Sequence, residues 1–182
     1  MTDVLPDGWK REQLGAAGGL SARRPQPFEG TRPYLATADA VNGRLAPAEE
    51  VSFIGRPARA DLELQPGDVM QAKMRDADKA FRVTDAQKGW LASTGFAQFR
   101  PESVGTEPRF LLHYLRSERF LRERNRRSVG TTQQAVSDSE LASIEVDLPG
   151  RPEQERIADV LDSVAARAIR TEAIVAKLKL LK

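Results

Sequence analysis

The stretch from Pro152 to Lys182 constrains this chain most. It reads PEQERIADVLDSVAARAIRTEAIVAKLKLLK, with no glycine and with proline only at its start. Ile157, Leu161, Val164, Ala168, Thr171, Val175 and Leu178 recur by four and three, the seam of a heptad repeat. Pro152 suits a first helical position, where its missing N–H costs nothing. At about 1.5 Å per residue such a helix is roughly 45 Å long. Glu153, Glu155, Asp159 and Asp162 dominate its first half, and Arg167, Arg170, Lys177, Lys179 and Lys182 its second. That split suits the helix dipole. It also suits an antiparallel partner of the same kind, in which acidic halves face basic ones. Periodicity leaves a second reading open, an amphipathic helix folded back on its own domain. Ala168 and Thr171 weaken a seam but allow close approach.

The remaining residues fit one domain with this helix as an appendage, divided at the loop Leu148-Pro149-Gly150-Arg151 into residues 1–150 and 151–182. The expected class is α+β, because many short strands precede the first good helix. Strands are expected near Trp9–Leu14, Tyr34–Ala36, Asp68–Met74 and Phe81–Thr84, with a tight turn at Asn42-Gly43. Trp90–Phe99 reads as the strongest strand, with Gly95 as a bulge or a point of close backbone approach. Pro108 to about Arg126 reads as a helix whose apolar face begins with FLLHYL.

Composition excludes several classes. The chain has no cysteine, so it is neither a disulfide scaffold nor a cysteine-based zinc protein, and it fits a reducing cytoplasm. The start MTDVLPDGWKREQ has no apolar core of a secretory signal, and no apolar run approaches the roughly 20 residues of a membrane span. The Gly-x-x-x-x-Gly-Lys-Ser/Thr, Gly-x-Gly-x-x-Gly and Gly-x-Ser-x-Gly motifs are absent. The single histidine, His113, sits in an apolar run and reads as a packed side chain rather than a catalyst. Asp76, Asp78 and Lys79 lack the spacing and third acid of a nuclease cluster and read as a charged hairpin loop. No enzyme activity and no cofactor are expected.

The net charge is only +2, so any nucleic-acid binding must come from a local basic face. Arg116, Arg119, Arg122, Arg124, Arg126 and Arg127 crowd one helix end, where guanidinium forks can grip phosphate oxygens. Ser128 to Gln134 follow, and small hydroxyl residues and glutamine can contact backbone and adenine edges. Lys73, Arg75, Lys79, Arg82 and Lys88 form a second basic set, diluted by Asp76, Asp78 and Asp85. The candidate DNA contacts are Lys73, Arg75, Lys88, Thr94, Arg126, Arg127, Thr131, Thr132 and Gln133. A solvated surface with scattered ion pairs is the competing reading of both sets, and a coiled-coil scaffold with an incidental basic face is the competing function.

An ordered series of motifs then points to a family. Leu5-Pro6-Asp7-Gly8-Trp9 comes first, followed by Gly67-Asp68-Val69, Phe110-Leu111-Leu112-His113-Tyr114-Leu115 with Ser117, and Gly130-Thr131-Thr132-Gln133. Last come Ile144-Glu145-Val146-Asp147-Leu148-Pro149 and Glu153-Gln154-x-x-Ile157-Ala158. In this order they resemble half of a type I restriction–modification specificity subunit, over nearly the whole chain. The resemblance implies a target recognition domain that reads one half of a bipartite double-stranded DNA site, followed by a spacer helix. It implies a methylation subunit docked on that helix and a restriction subunit beyond it, with chemistry left to those partners. Relatives usually carry two halves whose long helices pack antiparallel. This chain is therefore expected to be a fragment, or a half-subunit that forms a homodimer through Ile157, Leu161, Val164, Ala168, Val175 and Leu178.

Overall fold

The computed structural model describes residues 4–41, 44–47, 49–129 and 134–179. The strands are β1 (Lys10–Gln13), β2 (Arg32–Leu35), β3 (Ala40–Val41), β4 (Arg44–Leu45), β5 (Glu49–Val51), β6 (Ala60–Glu63), β7 (Val69–Ala72), β8 (Ala80–Arg82), β9 (Leu91–Ser93), β10 (Phe96–Phe99) and β11 (Glu145–Leu148). The helices are α1 (Leu14–Ala17), α2 (Pro108–Arg116), α3 (Glu118–Arg127), α4 (Asp138–Ala142) and α5 (Arg151–Lys179). The α+β class holds. The expected Asn42-Gly43 turn lies outside the described residues.

One sheet runs β5-β2-β9-β6, with β2 and β9 parallel; the other runs β10-β7-β8 and is antiparallel. The three-stranded sheet is buried on both faces. Val69, Ala97 and Phe99 pack against Leu111, Leu115 and Phe120 on the helical side. Met70, Ala72, Phe81 and Phe96 pack against Leu35, Leu62 and Leu64 on the other. The alternation follows from the two-residue period of a strand.

The stretch expected as one strand, Trp90–Phe99, is two strands in different sheets. The chain turns the corner at Thr94-Gly95. A Cβ on Gly95 would lie 2.8 Å from the Thr37 methyl, so glycine leaves room there for the Thr37 side chain. The expected helix over 108–126 is likewise present but broken at Ser117. That residue has extended backbone, and its Oγ accepts a hydrogen bond from the Phe120 N–H at 3.2 Å, so it caps α3.

The motifs acquire physical reasons. Gly67 takes a left-handed conformation (φ 90°), which glycine adopts without strain. Asp68 is buried, accepting from the Gln65 N–H at 3.0 Å and from Gln98 Nε2 at 2.7 Å. Burial pushes its carboxyl above the usual range, partly offset by those two hydrogen bonds. Gln98 also donates to the Glu63 carbonyl and accepts from the Arg23 N–H, so one buried amide ties a loop to two strands. The strand that follows the N-terminal motif, β1, pairs antiparallel with β11, the strand that leads into Leu148-Pro149.

Helix α5 docks by its first turns. Ala158 is fully buried against Ala17, Phe110, Val146 and Leu148. Gln154 is buried too; its Oε1 accepts from the Glu107 N–H at 2.9 Å, and its Nε2 donates to the Pro149 carbonyl at 2.8 Å. These are the Gln and Ala of Glu-Gln-x-x-Ile-Ala. The isosteric change Gln154→Met leaves both backbone groups buried and unpaired. It is expected to cost about 2–4 kcal/mol in urea unfolding, against less than about 0.5 kcal/mol for the exposed neighbour Glu155→Gln.

Candidate nucleic-acid interface

The arginines of α2 and α3 divide by what they touch. Arg124 is 1% exposed, and its guanidinium donates to the Ala77 carbonyl at 2.6 Å and to Asn125 Oδ1. Burial pushes its pKa down. Arg116 donates to the Ala80 carbonyl at 2.7 Å. Arg119 pairs with Asp147 at 2.8 Å, and Arg127 with Glu123 at 2.7 Å and with Ser143. These side chains tie α2 and α3 to the β7–β8 hairpin, β11 and α4. The side chains of Arg119, Arg122 and Arg126 are 57%, 69% and 72% exposed, and Arg122 and Arg126 each pair locally with a glutamate of the same helix. Such exposed pairs hold their geometry weakly. Within the cluster expected to grip phosphate, Arg124 and Arg127 are engaged inward, while Arg116, Arg119, Arg122 and Arg126 keep exposed side chains alongside their bonds to the fold.

A second basic edge lies around the connection after β7. Lys73, just after β7, reaches Asp138 at 3.1 Å. Its backbone N–H donates to the Gly95 carbonyl, which brings Thr94 beside it. Lys73, Thr94, Arg24, Asp61, Gln98 and Asp138 line one open cleft of about 300 Å³. Arg24 pairs with Asp61, and the Thr94 N–H donates to the carbonyl of the exposed Arg59.

Arg75 continues this edge. Its guanidinium donates to Gln134 Oε1 at 2.6 Å, and its N–H to the Gln134 carbonyl at 2.8 Å. The adjoining Asp76 has a left-handed backbone (φ 59°), uncommon outside glycine though tolerated by aspartate. Asn125 steadies it from both sides, accepting from the Asp76 N–H and donating to its carboxylate at 2.8 Å. The charged hairpin loop expected at 76–79 is thus a clamped turn that presents Arg75.

The structure brings Lys73, Thr94 and Arg75 to one edge, with Arg126 following Asn125 at the adjoining end of α3. Lys88 is elsewhere. It precedes β9 whereas Thr94 follows it, about 20 Å of extended chain away, and it sits beside Arg32 and Glu63. Arg127 is engaged inward. Thr131, Thr132 and Gln133 lie outside the described residues, between Val129 and Gln134; Val129 pairs with Ala135. Sequence reading missed Arg24, Arg59 and Asn125. Their signal was proximity alone, since each comes from a different loop or helix end.

Along α5 the docked and the apolar faces differ. At about 100° per residue, Gln154, Ala158 and Asp162 centre roughly 100° away from the stripe Leu161, Val164, Ala168, Val175 and Leu178. Leu161, Val164, Val175 and Leu178 are 39–58% exposed. Ile157, expected to open the seam, packs partly on its own domain instead. Two of the first-half acids are also used internally: Asp159 binds Arg109 at 2.6 Å, and Asp162 binds Arg109 at 3.2 Å and His113 at 2.8 Å. The charge split that favoured an antiparallel partner is correspondingly reduced, and the apolar stripe remains.

Comparisons with known proteins agree in one direction. The family described as type I restriction modification DNA specificity domain matches residues 30–180. The HsdS subunit from Thermoanaerobacter tengcongensis superposes with a TM-score of 0.81 at 26% identity, covering 97% of this chain and 47% of that one. A structure from work on complex assembly and conformational transition of the type I R-M system gives 0.80 at 24% identity, covering 96% and 46%. The type I restriction-modification S subunit from M. genitalium gives 0.56 at 14%, covering 92% and 41%. The last two show the fold alone. The chain spans about half the length of the structures it matches, and no curated protein matches it. Among the described residues no helix is long and apolar enough to cross a membrane.

Stability measurements separate the two kinds of arginine. Arg124→Met is expected to cost about 2–4 kcal/mol by leaving buried carbonyls unpaired, whereas Arg126→Ala, at an exposed pair, is expected to melt close to wild type. Hydrogen bonds from Arg126 and Arg127 hold the Glu123 carboxyl down to about 2, against an ordinary 4.5. That stabilisation is complete above the ordinary glutamate range and is lost as pH falls toward about 2. Thermal melts should show Glu123→Gln less stable than wild type at pH 7, with the difference closing between those values.

Proposed function

The chain belongs to the type I restriction modification DNA specificity domain family, and on that premise we propose that it reads one half of a bipartite DNA site. In this reading residues 1–150 are the recognition domain. Residues 151–182 are a spacer that docks a methylation subunit and, through it, a restriction subunit. The protein itself performs no chemistry and works in the cytoplasm.

The observation that carries the reading is the two-faced helix α5. One face is locked to its own domain by Gln154 and Ala158, while a separate apolar stripe stays exposed over Leu161, Val164, Val175 and Leu178. A second copy covers that stripe in antiparallel fashion. Two-fold symmetry then sets two recognition domains at opposite ends, facing an inverted-repeat target with a gap between its halves. The edge formed by Arg24, Arg59, Lys73, Arg75 and Thr94 supplies phosphate and base contacts. Arg126 adds a cation at one end of it.

A second reading, a coiled-coil scaffold with an incidental basic surface, draws support from the inward engagement of Arg124 and Arg127. Fluorescence anisotropy of the protein with its methylation subunit decides between them. The recognition reading expects one bipartite sequence to bind at least tenfold tighter than scrambled DNA. It expects Lys73→Ala and Arg75→Ala each to reduce the slope of log K against log salt by about 1. Equal binding to all sequences sinks it. Light scattering should give twice the chain mass, and Val164→Asp with Val175→Asp should return the monomer.

A further inference from the structure

Helix α5 is a lever, and its direction is decided near its base. Its apolar pivot is Ala158 with Ile157, set against Phe110, Val146 and Leu148. Apolar contact is non-directional, so a pivot of this size permits rocking. Around it α2 contributes a set of directional bonds. Before the pivot, Glu107 Oε2 accepts from Arg151 at 2.7 Å, and the Glu107 N–H donates to Gln154. After it, Arg109 Nη1 reaches Asp159 at 2.6 Å and Asp162 at 3.2 Å, while its Nε donates to Glu107 Oε1 at 2.9 Å. His113 Nε2 meets Asp162 Oδ1 at 2.8 Å. Thus α2 holds α5 on both sides of the pivot. Beyond Asp162 every described residue of α5 is exposed; Ile169 and Glu172 still border an open cleft with Lys79, Phe81 and Arg116, but among the described residues no hydrogen bond or ion pair ties the helix to the domain there.

We infer that Arg109 and His113 are positioning residues that fix the exit angle of α5 and, resting on the function proposed above, the gap length at which two recognition domains read their half-sites. The lever decides the tolerance. From Asp162 to Lys179 the helix runs about 25 Å. A tilt of about 8° moves its end about 3.5 Å, close to the rise of one base pair, 3.4 Å. Holding the gap to a single spacing therefore requires the angle to be fixed within a few degrees. Hydrogen-bonded ion pairs with one shared guanidinium can do this, because they penalise departures in direction as well as distance. Individually they contribute little to folding, being partly exposed.

The natural sequence has no cysteine, so spin labels at Ala86→Cys and Ala173→Cys report the angle in the full chain. Diluting labelled chains with unlabelled ones isolates the distance within one chain. A single narrow distribution is expected for the otherwise wild-type protein. A shift or broadening beyond about 3 Å is expected for Arg109→Gln with His113→Gln, and for Asp162→Ala, which leaves α2 untouched. Unchanged distributions in both variants overturn the inference. The second measurement is competition among inverted repeats whose gaps differ by one base pair. The clamp predicts that wild type prefers one gap severalfold, and that the variants lose this preference while keeping their affinity for an isolated half-site. Retained gap preference in variants with an altered distance overturns the link to spacing. If wild type binds no sequence preferentially, the proposed function fails, while the distance measurement, which needs no DNA, still judges the clamp.

Discussion

Gln154 uses both ends of a buried carboxamide, one on the Glu107 N–H that opens α2 and the other on the Pro149 carbonyl that ends β11. One side chain of α5 thus joins the distant start of α2 to the turn that follows β11. Its donor and acceptor both match, so no polar group at this junction is left without a partner, and an apolar residue of equal volume could not do the same. Ala158, one turn on, is small enough for α5 to lie directly against Phe110 and Leu148. The position of the spacer helix, and hence of everything that docks on it, depends on this junction.

The same economy explains the arginines. A guanidinium has donors spread over a plane, so it can join two carbonyls or a carbonyl and a carboxylate where a lysine would reach one. Arg124 joins the Ala77 carbonyl to Asn125, and Asn125 in turn holds Asp76 in its left-handed turn. That chain of contacts presents Arg75 at the basic edge. The internal arginines thus serve recognition at one remove, by stiffening the loops that carry exposed cations.

The two faces of α5 have different physics. Its docked face is short, buried and hydrogen-bonded, and it fixes the helix relative to one domain. Its apolar stripe is long, exposed and chemically uniform, which suits association with another helix but sets direction poorly. Separation of the faces by roughly a quarter turn lets one helix do both without competition. Burial opposes ionisation of Asp162, yet the hydrogen bonds from His113 and Arg109 outweigh it and hold its carboxyl below the usual aspartate range. The base of the lever therefore stays charged at neutral pH.

The sequence by itself determined the long helix, the strand-rich class and the positions of the motifs, because periodicity, proline and glycine placement and charge are local properties. It also determined that Glu-Gln-x-x-Ile-Ala mattered, though not that its glutamine is a buried tie. Only the tertiary structure decided that Trp90–Phe99 divides between two sheets, since the reason is the approach of Thr37 to Gly95 from elsewhere in the chain. The same holds for the basic residues. Charge along the chain does not reveal which arginines meet carbonyls and which meet water, so α3 looked like the richer surface. Lys73 and Arg75 share the β7–β8 connection, whereas Thr94, Arg24 and Arg59 come from three others, and only the packing of two sheets and a helix pair makes them neighbours.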